Sequence, residues 1–144
     1  MIVNLEVIPI NEYIGCDYDG SDESPAEKKR YQSGTIKRIR YLIREDASII
    51  TYDIESAFRT YVNIEDDGTI PSNSRKTLTV QTTFEMKDQV MIEVAGIKRL
   101  GIIDSIEVNW DDHACRISYG VRDETGKVFY GITEESLSEW VLGR

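Results

Sequence analysis

The sequence contains little of several residue types that mark particular classes of protein. Its 144 residues include two cysteines, three prolines and one histidine. Two cysteines are too few for the disulfide framework of a small secreted domain. No stretch approaches the roughly 18 apolar residues of a membrane-spanning helix, so we expect no membrane association. The start, MIVNLEVIPINE, lacks the basic lead and the small-residue cleavage site of a signal peptide.

These absences indicate an intracellular setting. We interpret Cys16 and Cys115 as reduced thiols, and the alternative is a disulfide between them. We expect the protein in the cytoplasm of its host cell or in a virion. At this length one domain can bury enough surface to fold without covalent staples, so residues 1–144 are interpreted as a single domain.

Basic residues are also scarce: 17 Lys and Arg stand against 26 Asp and Glu, for a net charge of −9. Binding to phosphates needs clustered Lys and Arg, so the balance argues against direct nucleic-acid binding. Seven of the 17 basic residues fall within one short span between acidic flanks: Lys28, Lys29, Arg30, Lys37, Arg38, Arg40 and Arg44. This polarity favours head-to-tail contact between identical subunits, or docking of a basic surface on an acidic one. The alternative is a solvated surface of mixed charge.

The stretch 84–137 alternates apolar and polar residues with a period of two, which is typical of half-buried strands. The predicted inward residues are Val90, Ile92 and Val94; Ile102, Ile106 and Val108; Ile117, Tyr119 and Val121; and Val128, Tyr130 and Ile132. Turns are predicted at Gly96, at 109–112 and at Thr125-Gly126. The pattern predicts five strands of a small closed β-barrel, whose core spans residues 77–137.

Further strands are predicted in the N-terminal half, where they complete or extend that barrel. They cover residues 2–8, 35–44, 48–54 and 58–64, and a last one covers 77–83. Residues 35–44 have spacings that also suit a helix, but their Thr, Ile and Tyr content favours a strand. Phe58, Val62 and Ile64 are predicted to share one face.

Two short helices and two polar loops complete the prediction. Ser24, Pro25 and Glu27 form a helix-start pattern that predicts a helix over 25–32. Thr133 can cap a C-terminal helix over 134–142, whose apolar stripe consists of Leu137, Trp140 and Val141. We interpret that stripe as packing on the barrel. The alternative is that it forms a docking surface for another chain. The extended loops cover 15–34 and 65–76.

No set of residues in the sequence indicates catalysis or metal binding. His113 is the only histidine, and its spacing to the cysteines matches no zinc motif. The run that begins at Asp17 fails the calcium-loop pattern, because Asp22 stands at the sixth position and Lys28 at the twelfth. A nucleophilic Cys–His pair needs a third residue that orients the histidine, and the sequence indicates none. We therefore expect a non-enzymatic protein with no cofactor and no metal.

The C-terminal half resembles the small barrels of Tudor- and KOW-like domains. The residues that carry this resemblance are Phe84, Asp88, Val90, Gly101-x-Ile103, Tyr119-x-Val121, Thr125-Gly126 and Gly131-Ile132-x-Glu134-x-x-Leu137. Lys87 stands where those barrels usually have a glycine before the aspartate. The resemblance implies a domain that binds peptides, proteins or nucleic acids, and the acidic charge disfavours the last of these.

Residues 34–107 resemble the head-closure, or head–tail connector, proteins of tailed bacteriophages. The similar segments are 34–40, the Asp67-Gly68 turn, 76–80 and the pattern from Phe84 to Glu107. This resemblance implies a β-barrel that assembles as a ring under the portal, closes the capsid exit and docks the tail. It assigns the loops 15–34 and 65–76 to interlocking or gating arms.

The sequence thus predicts a mainly all-β protein: a small β-barrel with extended loops and a short C-terminal helix. It also predicts that this protein is part of an assembly. The expected partners are further copies of the chain or other proteins of a virion or mobile element. The predicted interface residues are Lys28, Lys29, Arg30, Lys37, Arg38, Arg40 and Trp140. The alternatives are a barrel-type module that binds a protein partner, and an acidic protein that mimics DNA.

Overall fold

The structure is a computed structural model that describes residues 1–15, 33–68, 70, 72 and 74–139, and these residues fold almost wholly into β-strands. The strands are β1 (Ile2–Val7), β2 (Tyr13–Ile14), β3 (Gly34–Arg44), β4 (Ser48–Glu55), β5 (Thr60–Glu65), β6 (Lys76–Gln81), β7 (Gln89–Val94), β8 (Ile97–Trp110), β9 (Cys115–Asp123), β10 (Val128–Thr133) and β11 (Leu137–Glu139). The predicted mainly-β class is confirmed, and so is the strand assignment of residues 35–44.

Antiparallel pairing links most strands into one sheet with the order β10-β9-β8-β3-β4-β5, while β1 pairs with β6. The long strand β8 organises this sheet. Its first half pairs with β7 and its second half with β3, while β9 runs along its other edge. The pairing among the described strands follows an open path, so the closed barrel stays a prediction.

Two tight turns between strands contain residues with positive φ values. Ala95 and Gly96 link β7 to β8 with φ values of 51° and 79°. Two successive positive φ values match the twist of a two-residue hairpin. Gly126, with φ 87°, lies in the turn between β9 and β10, where the sequence predicted a turn.

Two clusters of buried side chains form the core. Val7, Ile36, Ile39, Tyr52 and Ile54 belong to the first cluster and are fully buried. The second cluster forms among β7, β8 and β9 and includes Val90, Ile103, Ile106, Tyr119 and Val121. Tyr41 of β3 and Trp110 of β8 pack against both clusters, and they join the two at the centre of the sheet.

Register shifts overturn part of the predicted strand faces. On β8, a shift between Ile103 and Ser105 leaves Ile102 43% exposed and buries Ile103. On β10, a shift between Phe129 and Ile132 turns Tyr130 outward, where it is 71% exposed. A β-bulge adds one residue to a strand and so exchanges the inward and outward faces beyond it.

The predicted face of Phe58, Val62 and Ile64 is also wrong. Ile64 packs on the first core cluster beside Tyr61, whereas Phe58 and Val62 are 85% and 61% exposed. The register between β4 and β5 shifts between Tyr52 and Ile54, and Asn63 adopts a positive φ of 56°. This bulge rotates the residues before it to the outer face.

The predicted C-terminal helix is wrong over its described part. Residues Glu134–Ser136 form one turn of 3-10 helix, and Leu137–Glu139 then form β11, which pairs with β7. Leu137 is buried against the second core cluster, but as part of a strand. The helix predicted over 25–32 lies outside the described residues. Among the described residues, no helix has the length and apolar character needed to cross a membrane.

Candidate interaction surface

The predicted interface residues that the structure describes lie together on β3. Lys37 stands at a register shift between Ile36 and Arg38, and Arg38 is exposed opposite Asp53 of β4. The Arg38 Nε atom lies 4.0 Å from Asp53 Oδ2. Lys28, Lys29, Arg30 and Trp140 lie outside the described residues, so their predicted role in the interface stays a prediction.

Arg40 is the most constrained of these cations. Its Nε atom lies 3.0 Å from Glu107 Oε1 and donates to Asn109 Oδ1 at 3.1 Å, both on β8. Its Nη1 atom donates to Asn63 Oδ1 on β5. The guanidinium group therefore links three strands of the outer face and is already neutralised within the chain.

An outer groove of about 280 Å³ lies beside this polar face. Its lining includes Leu42, Ser105, Gly120, Tyr130 and Gly131. Gly120 keeps it open, because an added Cβ atom would collide with Ser105 Oγ and approach a Tyr130 ring carbon to 3.2 Å. Gly131, with φ 71°, forms the bulge that exposes Tyr130. The groove therefore depends on two glycines and one exposed aromatic ring.

The rim of the outer groove carries charges of both signs. A neighbouring cavity of about 180 Å³ shares Tyr130 with the groove and adds Glu45 and Asp104. Lys87 Nζ lies 2.6 Å from Glu45 Oε1, and its hydrogen bond lowers the pKa of that carboxyl group. Arg122 contacts Asp104 at 3.4 Å. A polar rim around an aromatic side chain is typical of a protein contact surface.

A second exposed feature is the turn between β4 and β5, which holds Phe58 at its tip. Ser56 orders this turn: its hydroxyl donates to the Arg59 carbonyl at 2.9 Å and accepts from the Phe58 and Arg59 N–H groups. The Arg59 guanidinium carbon lies 4.3 Å from the centre of the Tyr61 ring. Phe58 therefore projects from an ordered turn beside an exposed cation.

A buried tyrosine anchors the loop that follows β5. Tyr52 is fully buried; its hydroxyl donates to Asp66 Oδ2 at 2.5 Å and accepts from the Ile8 N–H at 3.0 Å. Arg75 contacts both oxygens of the same carboxylate, at 2.8 and 3.2 Å. Burial and the hydrogen bond to Asp66 raise the pKa of the Tyr52 hydroxyl, which keeps it a donor at neutral pH.

The described part of loop 65–76 is also tied to the region before β2. The hydroxyls of Ser72 and Ser74 donate to the two carboxylate oxygens of Glu12, the former at 2.6 Å. With the Asp66–Arg75 pair, these contacts hold the loop against its own chain. The gating role that the resemblance assigned to it stays a prediction.

At the second core cluster, another buried tyrosine donates its hydroxyl to a carboxylate, as Tyr52 does at the first. The buried Tyr119 hydroxyl donates to Glu134 Oε1 at 2.6 Å, and the same oxygen accepts from the Thr83 N–H at 3.1 Å. The Phe84 ring meets the Tyr119 ring edge to face, with centroids 5.7 Å apart. Glu134 is thereby fixed at the 3-10 turn, which places β11 on β7.

We expect Asp66→Asn to reduce stability more at pH 7 than at pH 3. Burial acts to raise the pKa of Asp66, but hydrogen bonds from Arg75 and Tyr52 outweigh it and hold the pKa below the ordinary 3.8. A lowered folded-state pKa stabilises the fold above the unfolded-state pKa, and this contribution is lost as pH falls through the lowered value. Urea unfolding at both pH values measures the difference. The exposed Asp46→Asn variant is the control, and an equal loss at both pH values would contradict the prediction.

Two of the sequence-based candidates for chemistry, His113 and Cys115, lie at the turn between β8 and β9. The His113 side chain is 84% exposed in the turn after β8, and Cys115 is exposed at the start of β9. Burial raises the pKa of the Cys115 thiol. Within the described ranges, no group of three or more His, Cys, Asp or Glu residues is placed to hold a metal ion. Cys16 and the acidic run after it lie outside those ranges.

Sequence reasoning missed the two exposed aromatic residues that define this surface. It grouped Tyr130 with the inward residues of its strand and gave Phe58 a face shared with Val62 and Ile64, because simple alternation gives no sign of a bulge. The available signals were Gly131 directly after Tyr130 and the Ser56-x-x-Arg59 turn before β5. Glycine inside a strand pattern indicates a bulge.

Comparison of the chain with protein-family models, with curated proteins and with solved structures found no match.

Proposed function

We propose that this chain is a non-enzymatic assembly protein that associates with further copies of itself. One observation carries the proposal: two strongly exposed aromatic residues, Phe58 and Tyr130, stand at opposite ends of one sheet. Aromatic residues are enriched at protein interfaces, where a large apolar body is buried. Each of the two lies next to charged side chains that can form a polar rim.

The placement of these residues favours a head-to-tail contact. Phe58 precedes β5 at one end of the strand order, and Tyr130 belongs to β10 at the other end. A contact between two different patches repeats from copy to copy, and it gives a ring where the rotation closes. The finer proposal, a ring-forming head–tail connector of a tailed bacteriophage, rests on the sequence resemblance of residues 34–107.

Light scattering coupled to size exclusion, over a concentration series, tests this function. We expect a discrete oligomer whose fraction rises with protein concentration. That fraction is expected to fall as salt rises, because contacts between exposed charges are screened. A monomer at every concentration, in low and moderate salt, would count against self-assembly. A point variant of an exposed residue away from both ends, Tyr13→Ala, is the control that keeps the oligomer.

The outer groove favours a second candidate function, a module that binds a different protein. The groove of about 280 Å³ presents Tyr130 beside Leu42 and the polar Ser105. Concave surfaces with a few converging polar groups are typical binding sites. The same concentration series separates the two functions, because a binding module stays monomeric until its partner is added.

A further inference from the structure

We propose that Phe58 of one copy inserts into an apolar groove of the next copy, formed by β7, β8 and β9. This inference rests on the proposed self-assembly and names this groove, rather than the surface around Tyr130, as the place that receives Phe58. The apolar groove has a volume of about 220 Å³, and its lining includes Val90, Leu100, Gly101 and Ile102 together with the charged Arg122, Asp123 and Glu124. A cavity of about 150 Å³ accepts benzene, so this groove has room for a phenyl ring.

The apolar groove exists because of how β8 passes its neighbours. Gly101 is buried, and an added Cβ atom would meet Val121 Cγ1 at 2.5 Å and the Arg122 carbonyl oxygen at 2.9 Å. Only glycine fits this close approach of β8 and β9. Ile102, turned outward near the register shift, supplies a wall that is 43% exposed. The groove therefore leaves apolar surface in contact with water that a second chain can cover.

Phe58 has the properties of an inserting residue. It is 85% exposed, and three hydrogen bonds of Ser56 hold its turn. An ordered turn loses little conformational freedom on binding, so more of the gain from burying the ring is retained. Buried aromatic anchors of this kind carry most of the binding energy at protein interfaces.

The charges beside the two features are complementary. Arg59 follows Phe58, and its guanidinium group rests on the Tyr61 ring without an ion pair to any described carboxylate. Glu124 stands exposed at the edge of the apolar groove and makes no ion pair with the described cations. By contrast, the neighbouring Asp123 is already held by Arg99 and Thr125, and the cation in the lining, Arg122, is paired with Asp104. An Arg59–Glu124 pair between copies would neutralise two charges that have no ion pair among the described residues, and it would set the orientation.

Phe58 does not reach the apolar groove of its own chain, because its turn and the groove belong to strands that are not neighbours in the sheet. β5 is separated from β8 by β3 and β4, which at the usual strand spacing is about 14 Å along the sheet. The inserting turn and the apolar groove are thus different patches of one body. Paired head to tail from copy to copy, these patches form a heterologous contact, which gives rings or open chains.

Mixing two complementary variants tests the contact. Phe58→Asp removes the inserting ring and keeps the apolar groove, while Ile102→Asp does the reverse. Each variant alone is expected to be monomeric, and an equimolar mixture is expected to form a dimer that grows no further, because only one intact contact remains. Light scattering measures the masses. The controls are Tyr13→Asp and Ile97→Asp, at positions 68% and 56% exposed, which are expected to assemble like the parent chain.

Charge reversal gives a second, independent readout. Arg59→Glu and Glu124→Arg are each expected to weaken association at least tenfold, and the double variant is expected to restore most of it. Circular dichroism confirms that each variant is folded. If the parent chain assembles and these variants assemble equally well, the proposed contact is wrong and self-assembly stands. If the parent chain is monomeric throughout, the proposed function falls, and this contact falls with it.

Discussion

Tyr52→Phe is expected to lower the free energy of unfolding by about 2–4 kcal/mol, because it removes one hydroxyl that serves two buried groups. The Ile8 N–H would lose its acceptor, and the Asp66 carboxylate would lose its shortest hydrogen bond. Both losses occur where water cannot substitute, since Tyr52 is fully buried and the Asp66 side chain is 4% exposed. Urea unfolding monitored by circular dichroism measures the effect.

Tyr41→Phe is the matched control for Tyr52→Phe. Tyr41 also packs on the core, but its hydroxyl makes no hydrogen bond with the described residues. Its replacement is expected to change the free energy of unfolding by less than about 0.5 kcal/mol. A similar, small effect for both variants would show that the Tyr52 hydroxyl does not anchor the loop after β5.

Gly34→Ala is expected to destabilise the fold by about 2–3 kcal/mol, through a collision with backbone that cannot move aside. An added Cβ atom at this position would strike the carbonyl oxygen of Glu55 and lie 2.8 Å from its carbonyl carbon. Gly34 pairs with Ile14, and its neighbour Thr35 pairs with Glu55, so β2 and β4 enclose it from both sides. Relief would require β3 to separate from β4.

Gly15→Ala controls for the loss of glycine itself. Apart from its chain neighbours, no described residue has an atom within 4 Å of the position that its Cβ would take. It removes backbone freedom from the unfolded chain without a collision, so we expect a small change in stability of either sign. Thermal unfolding of both variants gives the comparison, and an equal midpoint for the two would refute a steric role for Gly34.

Part of the fold was predictable from the sequence, and part was not. The period of two along β7 and β9 placed Val90, Ile92, Tyr119 and Val121 inside, and all four are buried. The same rule failed for Ile102 and Tyr130, because their positions depend on register shifts against β9. Alternation is a property of one strand, whereas a bulge is a property of a pair of strands.

The C-terminus shows the same limit. Thr133, Leu137 and the spacing to Trp140 favour a helix by local rules. The described residues form a 3-10 turn and a short strand instead, because Leu137 pairs with Ile92 on β7 and Glu134 accepts the Tyr119 hydroxyl. Local propensity is a small preference per residue, and tertiary contacts outweigh it.

The candidate surface was predictable in composition but not in position. The cluster of basic residues predicted an interface that includes β3. In the structure, Arg38 and Arg40 of β3 form ion pairs with Asp53 and Glu107 of the same chain. Whether a charge is paired depends on the strand that folds beside it. Sequence alone could not separate the paired Arg40 from Arg59, which makes no ion pair within the described chain.

The sequence by itself determined the class of this protein: its alternation and its turn residues specify antiparallel strands, since both act through neighbours along the chain. Only the tertiary structure decided which side chains face water where the strands shift register. Phe58, Tyr130 and Ile102 are exposed, and the outer and apolar grooves are open, because bulges and glycines respond to the partner strand across the sheet. The surfaces available for assembly are therefore set by long-range register, which no local pattern encodes.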